Sequence, residues 1–137
     1  MLKTDSVIFF DTSVLISALI SKTGASYALL ESGIICKKIT SRYCIKEIDN
    51  NISKFKNTGM SLSFLQKKLL IVEDCFIESD WTRQLPSKDM PILSTAIYHK
   101  ANYLVTLDKN DFGIFFGKKL KGIVVLTPRD LLQIIRN

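Results

Sequence analysis

Short apolar runs alternate along this chain with longer stretches that read as helices. Val7 to Phe10, Ile34 to Thr40, Tyr103 to Thr106 and Ile123 to Leu126 have the apolar character of buried strands, and Ile71 to Ile77 reads as a mixed strand or extended segment. Helices are predicted from Ser13 to Ile20, Ala25 to Glu31, Ser41 to about Phe55, Ser61 to Leu70 and Asp89 to Ala101, with a last one opening at Thr127. Gly24 and Gly33 bound the second helix, Asn57-Thr58-Gly59 marks a turn, and Gly122 introduces the last strand. At the final helix Thr127 suits the cap, Pro128 the first helical position and Asp130 the positive end of the dipole. Strands alternating with helices predict an α/β fold, a parallel sheet covered on both faces and joined by right-handed crossovers. No repeat, low-complexity tract or linker divides the 137 residues, so a single domain spanning 1–137 is expected.

The acidic residues gain meaning from this pattern. Asp11 directly follows the first apolar run, and Asp108 and Asp111 closely follow Tyr103 to Thr106. Ligands of open parallel sheets gather beyond the carboxyl ends of the strands. Asp89 falls in line with Ile92, Leu93, Ala96 and Ile97, so helical spacing aims it at the apolar face, and the same residue is also placed as an N-cap just ahead of Pro91, which needs no metal. Glu47 and Asp49 flank opposite sides of the stripe formed by Cys44, Ile45, Ile48, Ile52 and Phe55, and periodicity does not choose between them. Thr12 and Ser13 are placed to hydrogen-bond the carboxylate of Asp11. Carboxylates crowded at one rim repel unless a cation neutralises them, and ligation by oxygen alone suits Mg²⁺ or Mn²⁺. The expected chemistry is therefore metal-dependent attack on a phosphate ester.

Composition narrows the setting. Nineteen Lys plus Arg against thirteen Asp plus Glu give a net charge of +6, which favours a polyanionic partner around an acidic centre. Lys88, Lys109, Lys118, Lys119 and Lys121 are candidates to attract a phosphate backbone, with a solvated face as the plainer reading of each. Cys36, Cys44 and Cys75 form no CxxC pair and leave an odd count, which disfavours a disulfide framework or zinc site and points to a reducing cytoplasm. The one histidine, His99, falls near a helix end and reads as a surface or capping residue. Asp5 and Asp11 interrupt the apolar N-terminal stretch, against a secretion signal, and no uninterrupted apolar run reaches the ~18 residues of a membrane span.

Four segments together resemble a known family. Phe10-Asp11-Thr12-Ser13-Val14-Leu15, Lys46-Glu47-Ile48, Asp89-Met90-Pro91-Ile92-Leu93-Ser94-Thr95-Ala96 and Val105-Thr106-Leu107-Asp108-Lys109-Asn110-Asp111-Phe112 look like the successive motifs of PIN-domain ribonucleases. Many of these are VapC-like toxins of type II toxin–antitoxin systems. The resemblance runs from Val7 to about Leu126. It implies an α/β/α sandwich and an RNA-cleaving Mg²⁺ or Mn²⁺ enzyme. It also implies an antitoxin partner and a homodimer. It matches the family's first three acids to Asp11, Glu47 and Asp89, which settles Glu47 over Asp49. Either Asp108 or Asp111 matches the fourth, and Thr106 matches the position whose hydroxyl helps order the site. Catalysis is thus expected from Asp11, Glu47, Asp89 and Asp108, with Asp111 as a further metal ligand and Thr106 and Ser13 in support. Two other readings compete. One is a catalytically lapsed PIN-like module that binds RNA or protein, which sits poorly with five acids being present. The other is a phospho-acceptor receiver, which would want paired acids after the first strand, where Asp11 has no acidic neighbour.

Overall fold

The computed structural model describes residues 5–33, 36–51, 62–76, 85 and 89–136. The chain begins with β1 (Val7–Phe10), α1 (Thr12–Ile20), α2 (Ala25–Glu31), β2 (Lys37–Ser41) and α3 (Arg42–Asn51). Next come α4 (Leu62–Lys68), β3 (Leu70–Val72), α5 (Met90–Tyr98) and β4 (Tyr103–Val105). A single helical turn, α6 (Lys109–Phe112), then leads through a 3-10 turn (Gly113–Phe115) to β5 (Lys119–Leu120), β6 (Ile123–Leu126) and α7 (Pro128–Arg136).

The strands build one six-stranded sheet in the order β3-β2-β1-β4-β6-β5. Every pairing is parallel except β5 with β6. Side chains of β1 alternate between two cores, as the two-residue period of a strand requires. Ile8 and Phe10 pack with Val14 and Leu15 of α1, Leu29 of α2, Leu65 of α4 and Leu131 of α7. Phe9 packs on the other face with Ile39, with Ile92, Leu93 and Ala96 of α5, and with Phe112. Both faces are therefore covered by helices, the α/β/α arrangement the alternation predicts.

The strand order positions the site. From β1 the chain winds outward through β2 to β3, then returns to place β4 against the other side of β1. The crossovers after β1 and β4 diverge there, which makes their carboxyl ends the switch point at which open α/β sheets bind ligands. Phe10 lies opposite Val105 in the register, so the residues that follow each, Asp11 and Thr106, leave the sheet side by side.

Local capping fixes where several helices begin and end. Ser41 Oγ accepts from the amide of Cys44 at 3.1 Å, and Thr127 Oγ1 accepts from the amide of Asp130 at 3.1 Å. At the end of α2, Lys38 Nζ donates to the carbonyls of Leu30 and Ser32, both at 2.7 Å, satisfying acceptors the helix leaves over. His99 caps α5 and its Nε2 lies 2.9 Å from the carbonyl oxygen of Glu73.

Some boundaries differ from the expected ones. The fourth helix stops at Lys68 and the next strand starts at Leu70, because Leu70 to Val72 pairs with β2. The polar stretch from Asp108 to Gly113 reads as a loop in the sequence but is largely helical. The antiparallel β5 was not anticipated; it joins β6 through Lys121 and Gly122, whose φ angles of 51° and 85° are those of a two-residue type I′ hairpin. Ile34, the stretch from Ile52 through the Asn57-Thr58-Gly59 turn to Ser61, Ile77, and Ser87-Lys88 lie outside the described residues. No single helix among the described residues is long and apolar enough to cross a membrane, and α1 and α2 meet at a bend of 97°.

Phe112 has no exposed surface and ties α6 to the core beneath α5. Phe112→Ala is expected to cost about 3–5 kcal/mol in urea denaturation. A cost below about 1 kcal/mol, the scale of an ordinary surface change, would show that the loop is not anchored through this ring.

Candidate active site

Asp11 is the first residue beyond β1, still held in register by its amide, which donates to the carbonyl of Val105 at 3.0 Å. It is also the N-cap of α1, and its Oδ1 accepts from the amide of Thr12 at 2.8 Å. Its Oδ2 accepts from the hydroxyls of Thr106 at 2.7 Å and Ser13 at 2.9 Å. Only 3% of the residue is exposed. Burial raises its pKa above the ordinary value of 3.8, and the nearby charge of Asp108 adds to the rise, while the hydrogen bonds from Thr106, Ser13 and Thr12 oppose it. The carboxylate is thus oriented by three donors yet reluctant to carry an uncompensated charge.

The same hydroxyls tie β4 to α1. Thr106 Oγ1 accepts from the amide of Asp108 at 3.1 Å, and Ser13 Oγ accepts from the amide of Leu107 at 3.0 Å. The loop after β4 is therefore set by the residues that orient Asp11. Asp108 then caps α6, its Oδ1 accepting from the amide of Asp111 at 3.0 Å.

Asp89 arrives from α5. It occupies the N-cap position, but its side chain makes no capping hydrogen bond, and φ −99° with ψ −13° is helical rather than extended. Pro91 in the first turn removes one amide that a cap would serve. The residue is 5% exposed, so its carboxylate turns inward, as its alignment with the buried Ile92, Leu93 and Ala96 requires. One oxygen from each of Asp89, Asp108 and Asp111 lies within 4.8 Å of the other two. Asp89 Oδ2 and Asp111 Oδ2 are both shielded from water.

This donor set fits a hard divalent cation. At that separation two carboxylates repel by about 3–4 kcal/mol even at the effective dielectric of a protein interior. A cation or protons must offset the repulsion. A trio made of carboxylate oxygens alone suits Mg²⁺ or Mn²⁺.

The acids expected from the sequence are placed as follows. Asp89, Asp108 and Asp111 form the close trio. Asp11 lies beside it, linked through Thr106 and near enough to feel the charge of Asp108. Glu47 is not in the trio; it faces α1, where its Oε1 accepts from Thr12 Oγ1 at 2.7 Å. Asp49 is exposed on α3 and lines a separate cavity. Lys109, Lys118, Lys119 and Lys121 are exposed, and Lys88 lies outside the described residues. Thr12 bonds the Asp11 carboxylate as expected, through its amide, but sequence reasoning missed that its hydroxyl joins Glu47 to the same turn. A Thr directly after a strand-end acid, with an unassigned Glu one helix away, was the available signal. Among the cysteines, burial pushes the thiol of Cys44 up to about 11, so it is an inert part of the core.

Comparison with known proteins agrees with this fold. A family model described as PIN domain matches residues 7–110, more than half of the chain. Among solved structures, the fold is similar to a chain in the crystal structure of VapBC2 from Rickettsia felis bound to a DNA fragment from their promoter. The TM-score is 0.60 at 16% identity, covering 87% of this chain and 96% of that one. No curated protein matches the chain by sequence.

The raised pKa of Asp11 has a consequence for stability. The folded chain binds this proton more tightly than the unfolded chain does, so stability is lost as pH rises from 3.8 through the raised folded value. Asp11→Asn removes that loss. In EDTA at neutral pH the variant is expected to melt higher than wild type, with the gap closing toward pH 4. A variant that melts lower at neutral pH would show that the carboxylate is fully compensated in the metal-free protein.

Proposed function

The chain belongs to the PIN-domain family, and from that premise we propose that it is a metal-dependent ribonuclease, hydrolysing RNA phosphodiester bonds as the toxin of a toxin–antitoxin pair. The observation that carries this reading is the convergence of Asp89, Asp108 and Asp111 beside Asp11 at the sheet's switch point. The toxin assignment draws support from the likeness in fold to the VapBC2 chain. The proposed setting is the cytoplasm, with a homodimer as the working assembly and a small antitoxin that places an apolar or basic segment near the acidic cleft.

Asp89, Asp108 and Asp111 would hold one or two Mg²⁺ or Mn²⁺ ions, with Asp11 and Glu47 contributing directly or through water. Bound there, such an ion supplies a lowered water pKa and offsets the charge that builds on the phosphate. Thr106 and Ser13 keep Asp11 Oδ2 in one direction, and Thr12 holds Glu47 toward the same turn. A water attacks phosphorus and one ester oxygen departs, so no side-chain nucleophile is needed. Lys109 and the Lys118-Lys119-Lys121 group offer the strand positive charge around the acids, which makes binding salt-dependent.

Wild-type protein is expected to cleave single-stranded RNA with Mg²⁺ or Mn²⁺ and to stop in EDTA, and Asp89→Asn is expected to lose about a hundredfold or more in rate, as when a group stabilising the transition state is removed. Cleavage that survives EDTA, or full activity in Asp89→Asn, would reject the mechanism. Tight RNA binding by a wild type that cleaves nothing would favour the lapsed binding module.

A further inference from the structure

The helix that carries Glu47 has a second polar flank. Glu47 turns toward α1, whereas Arg42, Ile45, Lys46 and Asp49 recur at helical spacing and line a cavity of about 600 Å³ on the other side. Leu62 and Gln66 of α4 form the facing wall, and Ile71 of β3 lies between the two helices. Tyr43 and Asp74 also line it, joined by a hydrogen bond from the Tyr43 amide to Asp74 Oδ1 at 3.0 Å. Arg42 is steered by Glu73, with Nε to Oε1 at 2.6 Å. That volume falls within the range of small-molecule sites.

The lining chemistry narrows the occupant. Lys46 and the Glu73-paired Arg42 are set against two carboxylates, Asp49 and Asp74. A site for bare phosphate would be net positive, and a peptide-binding groove would be mostly apolar. A nucleotide presents both an anionic phosphate and a base with N–H donors, and it matches the mixture. Ile45, Leu62 and Ile71 give the base apolar contact, while the carboxylates and Gln66 accept from its edge.

Location supports the same occupant. The cavity end that holds Arg42, Tyr43 and Asp74 sits where β2 and β3 finish, at the same sheet edge as the acids. Since β3 is two strands from β1, the offset is about 10 Å. A strand of RNA lying along that edge reaches both places.

Resting on the ribonuclease reading, we propose that this cavity seats an unpaired base of the RNA substrate a short way along the strand from the bond that is cut. It favours adenine, guanine or cytosine, whose amino groups suit carboxylate acceptors, over uracil. Arg42 and Lys46 hold the adjoining phosphate. The cavity thereby selects where along an RNA the acidic centre acts.

The test measures binding without cleavage, by fluorescence anisotropy of dye-labelled short single-stranded RNAs on full-length Asp89→Asn protein. Lys46→Ala is expected to weaken binding and to reduce its salt dependence. Gln66→Trp, which fills the cavity from an exposed helix position, is expected to weaken it about tenfold while the melting temperature stays unchanged. RNAs containing adenine, guanine or cytosine are expected to bind more tightly than uridine-only RNA, and Gln66→Trp to erase that preference. Unchanged affinity in folded Gln66→Trp and Lys46→Ala, absence of base preference, or no RNA binding at all would overturn the proposal. A failure of the nuclease reading is a separate result: wild type would show no metal-dependent cleavage while these binding differences persisted.

Discussion

Mutual repulsion among carboxylates is the constraint on which the rest of this structure depends. Asp89, Asp108 and Asp111 bring oxygens within 4.8 Å of one another, an arrangement a chain adopts only where packing forces it. Asp89 is carried by a helix whose Ile92, Leu93 and Ala96 are fully packed against the sheet. Asp108 and Asp111 sit on one helical turn pinned by Phe112 in the same core. Burial of apolar surface at those points stabilises the fold by more than the repulsion costs, at roughly 25 cal/mol for each Å² removed from water. The acids are thereby held together, and in the proposed reading a divalent cation would complete the balance of charge.

Hydroxyl groups do the orienting without adding charge. Thr106 Oγ1 donates to Asp11 and accepts from the Asp108 amide, so one side chain fixes the relation between the ends of β1 and β4. Ser13 repeats this from α1, donating to Asp11 and accepting from the Leu107 amide. Thr12 extends the network to Glu47 on α3. A positively charged side chain in any of these places would compensate the acids permanently and leave less reason to bind a metal. Neutral donors keep the site anionic, and burial then leaves Asp11 with its raised pKa.

Much of this was legible in the chain because burial on both faces of a parallel sheet writes itself as continuous apolar runs. Val7 to Phe10 and Tyr103 to Thr106 announced the central strands, and the acids just after them fell where a switch point binds ligands. Asp89 showed its inward direction through its spacing to Ile92, Leu93 and Ala96. Glu47 did not, because both flanks of the α3 stripe carry acids and only the contact with Thr12 distinguishes them. The β5–β6 hairpin was hidden because Lys119 and Leu120 are too short for an alternating pattern and Lys121-Gly122 is an unusual type I′ pair. The cavity beside α3 was hidden for another reason. Its walls come from α3, α4 and β3, and no local spacing reports how three separated segments meet.

Locating a manganese ion tests the central claim most directly. Crystals of the wild-type protein soaked in Mn²⁺ would be measured for anomalous scattering at the manganese edge. The account expects a peak bonded to oxygens of the Asp89, Asp108 and Asp111 trio, with Asp11 in its immediate surroundings. No peak there, or manganese bound only at carboxylates elsewhere such as Asp49 and Asp74, would contradict it.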